Sequence, residues 1–190
     1  MMHEQTKRIE RIADMKVVRG FTLIETLVAV SLLSVAIVAP MSLTGRSLAA
    51  AYYARDQVTA FHLAQEGIES VRHARDHNIL LNALGTPADL LAGIPSTTGD
   101  PFTVDTTNND AMALCNPLEA CPALRTNGEL YGYNEDWNST RFTRSISAVF
   151  VDGSTDEVKV NVVVSWQSGA FQSRSVTISE NLYRWVREIE

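Results

Sequence analysis

Lysine is almost absent from this sequence after residue 20, where only Lys159 remains. The formal net charge of the chain is −6, but residues 1–20 carry +2, so the rest carries −8. Because binding to a nucleic-acid backbone needs clustered Lys and Arg, this acidic body argues against nucleic acid as the main partner. Bulk charge leaves room only for a small local cationic patch.

The sequence also lacks the motifs of catalysis. It contains no G-x-S-x-G, no H-E-x-x-H and no Gly-rich phosphate loop behind a strand. Beyond residue 20 there are only three histidines, His62, His73 and His77, and no nucleophile, base and orienting group stand at a recognisable spacing. We therefore expect a protein that is not an enzyme and that uses no cofactor.

One long apolar run is present near the N-terminus, "RGFTLIETLVAVSLLSVAIVAP" at residues 19–40. Its only acidic residue is Glu25, and the next charge is Arg46, so residues 26–45 are uncharged. At about 1.5 Å per helical residue these positions span roughly 30 Å, the thickness of the hydrocarbon core of a bilayer. Since the Lys and Arg residues precede the run, we expect a single membrane pass with a cytoplasmic N-terminus and an extracytoplasmic body.

Two ordinary interpretations of this segment leave features unexplained. A signal peptide has an apolar stretch of about 7–15 residues before a small-residue cleavage site. Here the run is longer, contains Glu25, and the nearest A-x-A begins at Ala49, well past Pro40. A plain membrane anchor explains the length but not Glu25, because a carboxylate in a membrane segment is costly and usually functional.

The stretch "RGFTLIETLVAV" resembles the cleavage and methylation site of type IV prepilins and type II secretion pseudopilins. The resemblance implies that Gly20 ends a leader peptide and that Phe21 becomes the first mature residue, which prepilin peptidase also N-methylates. It implies that Glu25, the fifth mature residue, acts with Phe21 in subunit assembly. The implied partners are prepilin peptidase, other pilin or pseudopilin subunits, an inner-membrane assembly platform and membrane lipid.

Two positions depart from the common form of this motif. The leader of twenty residues is long, and "MKVVRG" from Met15 would alone make a typical short leader, so Met1, Met2 and Met15 are all candidate starts. Proline inside a helix removes a hydrogen bond and kinks the helix, and Pro40 falls slightly before the usual proline of pilin-like stems.

The helical pattern continues beyond the membrane segment. Apolar residues recur there at spacings of three and four, at Ala54, Val58, Phe61, Ala64, Ile68 and Val71. Gly85 and Pro87 then mark an end, so we expect one helix from about Phe21 to about Asn78. The expected organisation is a leader (1–20), a transmembrane half of the stem (21–45), an amphipathic half (46–80) and an extracytoplasmic head (81–190).

Two clusters of potential metal ligands, one of His and Glu residues and one of carboxylates, suggest metal sites. One follows the stem helix at His62, Glu66, Glu69, His73 and His77, and the other lies in a turn at Asp152, Asp156 and Glu157. His at i and i+4 is a good ligand pair. A solvated helix face with Glu69–Arg72 and Arg72–Asp76 pairs is the simpler explanation of the first cluster, and a solvated turn explains the second better than a calcium site does. We expect no metal site.

The segment 85–127 has weak periodicity and predicts a long irregular connection. It contains both cysteines of the chain, Cys115 and Cys121, on the side of the membrane where disulfides persist. A disulfide closing this short loop is worth roughly 2–2.5 kcal/mol on the chain-entropy model. Free thiols remain an alternative, and zinc would need two further ligands nearby.

From Glu129 the apolar period changes to two. Alternation is clearest in "RFTRSISAVF", "EVKVNVVVSW" and "FQSRSVTISE", joined by turn residues, and predicts an antiparallel meander of three or four strands. The final "NLYRWVREIE" predicts a short helix. With the stem covering the apolar face of the sheet, the fold class is α+β and pilin-like.

We therefore expect a structural minor subunit of a type IV pilus or a type II secretion-like pseudopilus. The subtype rests on "AFHLAQEGIESVRHARDHN", which resembles the stem of minor prepilin-like proteins. The expectation covers pilus, secretion and DNA-uptake systems alike. The alternative is a membrane-anchored, extracytoplasmic ligand-binding module that does not polymerise.

Overall fold

The computed structural model describes residues 20–116, 121–169 and 172–184. Within these residues, one helix and seven strands follow each other. They are α1 (Leu23–Ala83), β1 (Phe102–Asp105), β2 (Ala111–Leu114), β3 (Ala123–Thr126), β4 (Tyr131–Gly132), β5 (Asn138–Phe150), β6 (Glu157–Ser168) and β7 (Gln172–Tyr183). A long N-terminal helix with an antiparallel sheet confirms the α+β, pilin-like fold class.

The chain divides into two compact units, residues 1–50 and residues 51–190, so that the boundary falls within α1. We call them the first unit and the second unit. In the first unit the described residues are exposed. The second unit holds the last part of α1 and all seven strands, and it contains the hydrophobic core.

The end of α1 is set by glycine. Gly85 has a φ of 83°, a left-handed conformation that costs glycine little. Its N–H donates to the carbonyl of Asn82 (3.0 Å), and the N–H of Thr86 donates to the carbonyl of Leu81 (2.9 Å). This is the Schellman pattern of a helix C-terminus. The helix therefore ends near Gly85, as expected, and runs five residues past Asn78, where we had placed its end.

Strand β5 organises the sheet. β6 pairs along one edge of β5, and β1 and β3 pair along the other, since Ile146 is opposite both Val162 and Phe102. β7 continues beyond β6, β2 pairs with β1, and β4 pairs with β3, all antiparallel. The alternation of β6 buries one face completely, at Val158, Val160, Val162, Val164 and Trp166. The three strong alternating patterns of the sequence are thus confirmed as β5, β6 and β7.

The buried stripe of α1 is rotated from the expected one. Ala64, Ile68 and Val71 are buried as expected, but Ala54, Val58 and Phe61 are exposed. The buried positions are Asp56, Ala60, Leu63, Ala64, Gly67, Ile68, Ser70, Val71, Arg75 and Asn78.

Close packing of the helix on the sheet explains the rotation. A Cβ placed on Gly67 would lie 3.1 Å from Cδ1 of Ile146 and 3.2 Å from Cγ1 of Val162. Contacts that short are tighter than most Cβ contacts, so a side chain at this point would require its neighbours to shift. The small residues Ala60 and Ala64 therefore lie in this contact beside the larger Leu63, Ile68 and Val71.

Two other expectations were wrong. The segment 85–127 is not simply irregular, because β1, β2 and β3 form within it, and the sheet has seven strands instead of three or four. The C-terminal stretch is not a helix at residues 181–183, which belong to β7, where Leu182 is buried opposite Val158. The rest of that predicted helix, residues 185–190, lies outside the described residues.

Candidate processing and assembly site

The start of α1 is fixed by Thr22. Its carbonyl accepts the N–H of Thr26 (3.1 Å), and its side-chain Oγ1 accepts the N–H of Glu25 (3.3 Å). A threonine that bonds the third helical N–H in this way is an N-cap. "TLIE" also has the spacing of a capping box, and Glu25 falls in the first turn, where the helix dipole favours negative charge.

Gly20 and Phe21 therefore precede the helix in exposed, non-helical backbone. The Phe21 side chain is 80% exposed. A Cβ placed on Gly20 would meet nothing within 4 Å. The peptide bond between these residues is thus accessible within this chain, and nothing in the described residues requires position 20 to be glycine. The leader residues 1–19 lie outside the described residues.

The apolar half of α1 is long and apolar enough to cross a membrane, with a mean hydropathy of 2.2 over its best window. Its hydroxyl groups bond the helix's own carbonyls, a feature that the sequence analysis did not use. The four bonds run from Thr26 to Leu23, from Ser31 to Val28, from Ser34 to Val30 and from Thr44 to Pro40. Hydroxyl groups that are hydrogen-bonded within their own helix do not need water as a partner, so they are compatible with the interior of a membrane.

Glu25 is the exception in this segment. No described residue donates a hydrogen bond or forms an ion pair with its carboxylate. Four hydroxyl groups of this apolar half are bonded within the helix, but its one carboxylate is not bonded to any described residue. A carboxylate among apolar neighbours needs either a partner or a proton, and the described residues supply no partner for Glu25.

Cys115 and Cys121 are joined by a disulfide, with their Cα atoms 4.9 Å apart. Both residues are buried, and the N–H of Cys115 donates to the carbonyl of Pro101 (2.9 Å). The predicted disulfide is thus confirmed. The residues between the cysteines that lie outside the described part are 117–120.

The paired residues on the His and Glu face of α1 contact separate partners and do not converge on one point. Arg72 bonds both Glu69, as expected, and Glu180 of β7. His73 Nδ1 lies 3.2 Å from a carboxylate oxygen of Asp110. The expected Arg72–Asp76 pair is replaced by one in which the Nε of Arg75 lies 2.6 Å from Asp76.

Two of the three carboxylates predicted in the β5–β6 turn, those of Asp156 and Glu157, also have protein partners. Asp156 lies 3.5 Å from Nε of Arg184, and Glu157 accepts a hydrogen bond of 2.7 Å from Asn181. Among the described residues there is no group of three or more His, Cys, Asp or Glu that could hold a metal ion.

A buried arginine that sequence reasoning missed connects the helix to the sheet. Arg144 of β5 is completely buried, and its Nη1 donates to Glu66 Oε2 (2.6 Å) and to the carbonyl of Leu63 (3.1 Å). Its Nη2 donates to the carbonyl of Val104 on β1 (2.7 Å). One side chain therefore ties α1, β1 and β5 together. The sequence did contain a feature that could have identified Arg144. It stands between Phe142 and Ile146 on the inward-facing side of the strand, where the alternating pattern predicts an apolar residue.

Tyr133 lies beside this cluster. Burial raises the pKa of its hydroxyl, and the positive charge of Arg144 partly offsets that rise. The hydroxyl therefore stays neutral well into the alkaline range.

Comparison with known families identifies the N-terminal segment. Residues 15–39 match the family described as the prokaryotic N-terminal methylation motif. No curated protein and no solved structure matched the chain. The matched motif is that of structural pilin-type proteins and not of an enzyme family, and it implies processing by prepilin peptidase and assembly with pilin-type subunits in general. The long apolar helix fits a single-pass membrane anchor. The chain thus carries the N-terminal methylation motif that is characteristic of type IV pilins and pseudopilins.

Proposed function

We propose that this protein is a minor structural subunit of a type IV pilus or a type II secretion-like pseudopilus. Prepilin peptidase cuts between Gly20 and Phe21 and methylates the new amine of Phe21. The observation that carries the proposal is the matched motif at residues 15–39, placed on an exposed bond directly before a capped helix. The N-terminus faces the cytoplasm, and the assembly platform of the inner membrane adds the subunit to a filament.

The assembly step follows from charge. Cleavage creates an ammonium group on Phe21, where the precursor had a neutral peptide bond. Glu25 lies about 6 Å further along the helix axis, and its carboxylate has no partner among the described residues. Among packed apolar helices the amine of one subunit and Glu25 of the next neutralise each other and fix the stagger between subunits. Losing one partner of such a buried pair typically costs about 3–5 kcal/mol.

Glu25→Ala tests this proposal. We expect the variant to insert into the membrane and to be cleaved, because Glu25 lies near the interface, where its charge is cheaper to hold. It should enter filaments poorly, because the amine of the neighbouring subunit is left unpaired. The measurement is the ratio of subunit in the sheared filament fraction to subunit in the membrane fraction.

Thr26→Ala is the matched control. Thr26 is adjacent in the same turn, and its hydroxyl bonds only the carbonyl of Leu23 (2.9 Å). It should enter filaments like the wild type. Equal incorporation of Glu25→Ala would contradict the assembly role of Glu25 and would favour the alternative, a membrane-anchored ligand-binding module. Absence of the wild-type chain from filaments would do the same.

A further inference from the structure

A cavity of about 490 Å³ opens within the second unit, between α1 and the strands β4 and β5. This volume lies within the range of about 300–1,000 Å³ that is usual for small-molecule sites. Polar side chains dominate the residues that line it. They are Arg55, Asp56 and Thr59 of α1, Tyr131 of β4, and Ser139, Thr140, Arg141 and Phe142 of β5.

Asp56 is a buried carboxylate in the lining of the cavity, and two arginines bond to it. Its side chain is only 5% exposed, with Oδ1 lying 3.2 Å from Nη2 of Arg55 and Oδ2 lying 3.0 Å from Nη1 of Arg141. Both carboxylate oxygens are occupied, so Asp56 is not free to bind a cation. Two arginines and one carboxylate leave a net charge of +1 beside the cavity.

The arginines keep donors to spare. The side chains of Arg55 and Arg141 are 60% and 45% exposed, and each uses one nitrogen on Asp56. A guanidinium has five N–H groups, so several remain on each residue. Arg55 is also held in place, because its guanidinium carbon lies 5.3 Å from the ring centroid of Tyr52.

The hydroxyl groups of the cavity fall into two classes. Thr59 donates to the carbonyl of Arg55 (3.1 Å), and Thr140 donates to the carbonyl of Leu124 (2.7 Å), so their protons are already used. The hydroxyls of Tyr131 and Ser139 make no hydrogen bond to the part of the chain that the structure describes. The unused groups around the cavity are two guanidinium groups, which only donate, and two hydroxyls, which can donate or accept.

From this arrangement we propose that the cavity binds an oxyanion, a carboxylate or phosphate group. The net charge attracts an anion, and the free N–H groups of planar guanidinium groups match two oxygens of one carboxylate or phosphate. Tyr131 and Ser139 add donors from the sheet side. The oxyanion belongs either to a small free ligand or to the headgroup of an acidic phospholipid, and the two sources offer the same chemistry to the cavity.

The test uses the full chain in two settings. In detergent micelles, isothermal titration calorimetry measures binding of inorganic phosphate and of citrate at constant ionic strength, so that general screening is held fixed. In nanodiscs, the thermal midpoint is compared between phosphatidylcholine alone and phosphatidylcholine with phosphatidylglycerol. The first setting detects a free ligand, and the second detects a lipid headgroup.

The variants separate binding from folding. Tyr131→Phe with Ser139→Ala removes two hydroxyls that the fold does not use, and Arg55→Gln leaves Asp56 paired with Arg141. Each should weaken binding about tenfold or more, because hydrogen bonds to charged groups are among the stronger ones. Arg174→Gln is the matched control, since Arg174 is an exposed arginine of β7 that does not line the cavity.

Binding of phosphate or citrate that the cavity variants weaken and Arg174→Gln does not would support a free ligand. A thermal shift seen only with phosphatidylglycerol, and lost in the cavity variants alone, would support a lipid headgroup. Binding in neither setting, or binding that the cavity variants and the control leave equal, would overturn the proposal.

Discussion

Replacing Arg144 by methionine should destabilise the second unit more than any exposed arginine substitution. Methionine keeps the flexible, unbranched stem of the side chain but ends short of the guanidinium and removes its donors, so the carbonyls of Leu63 and Val104 lose a partner. A buried acceptor left unpaired costs about 1–3 kcal/mol. Glu66 loses its ion pair as well, but its side chain is 35% exposed and keeps a hydrogen bond of 2.6 Å from Thr106. Together these losses amount to about 3–5 kcal/mol, in line with breaking a buried pair.

The assay is urea unfolding of the full chain in detergent, followed by tryptophan fluorescence, to which Trp166, 3% exposed in the core, contributes. In a thermal unfolding experiment on the same protein, a loss of about 3–5 kcal/mol would appear as a fall in the melting temperature of about 6–20 °C for a protein of this size. Arg174→Met is the matched control. Its side chain is on the exposed edge of β7, with a bond to Gln172 and a contact over Tyr53, and it should cost less than about 1 kcal/mol. If Arg144→Met unfolds at the same urea concentration as Arg174→Met, the hydrogen bonds of Arg144 do not stabilise the second unit.

Three further outcomes are expected. Gly20→Leu should leave the precursor uncut while its helix content stays the same, because a side chain meets nothing at position 20; an immunoblot showing a normally processed chain would contradict this. Removing the disulfide by replacing Cys115 and Cys121 with serine should cost roughly 2–2.5 kcal/mol without abolishing the fold, and native wild-type protein whose thiols alkylate freely would count against the pairing. Burial raises the pKa of Tyr133, so its contribution to stability is fully present below the unfolded pKa of about 10 and is lost as pH rises through the folded pKa. Tyr133→Phe should therefore lose less stability than the wild type over that alkaline range. Identical plots of stability against pH for the two proteins would contradict the shift.

Long regular patterns were the part of the fold that the sequence could predict. The alternation along β6 runs from Val158 to Trp166 on one face, and a signal of that length leaves little choice of structure. β1, β2 and β3 have four residues each and too little alternation to stand out from a loop. Their pairing depends on the edge of β5, which no local pattern reveals.

The candidate site divides in the same way. Gly20, Phe21 and Glu25 belong to one contiguous motif, so the sequence alone was enough to select them, and Thr22 could have been identified as the cap from the "TLIE" spacing. Arg144 and Glu66 lie 78 positions apart, and only the folded chain brings them together. The stripe on α1 was misjudged because small residues, which carry a weak hydrophobic signal, allow the closest approach to the sheet.

Processing at Gly20 and assembly through the new N-terminus are the core of the proposed function. They are tested by N-terminal sequencing and intact mass of the protein purified from sheared filaments. We expect a mature chain that begins at Phe21 and is one methyl group heavier than the unmodified sequence from that residue. A mature chain that begins at Met1 or after Ala51, or one found only in the membrane fraction, would contradict it.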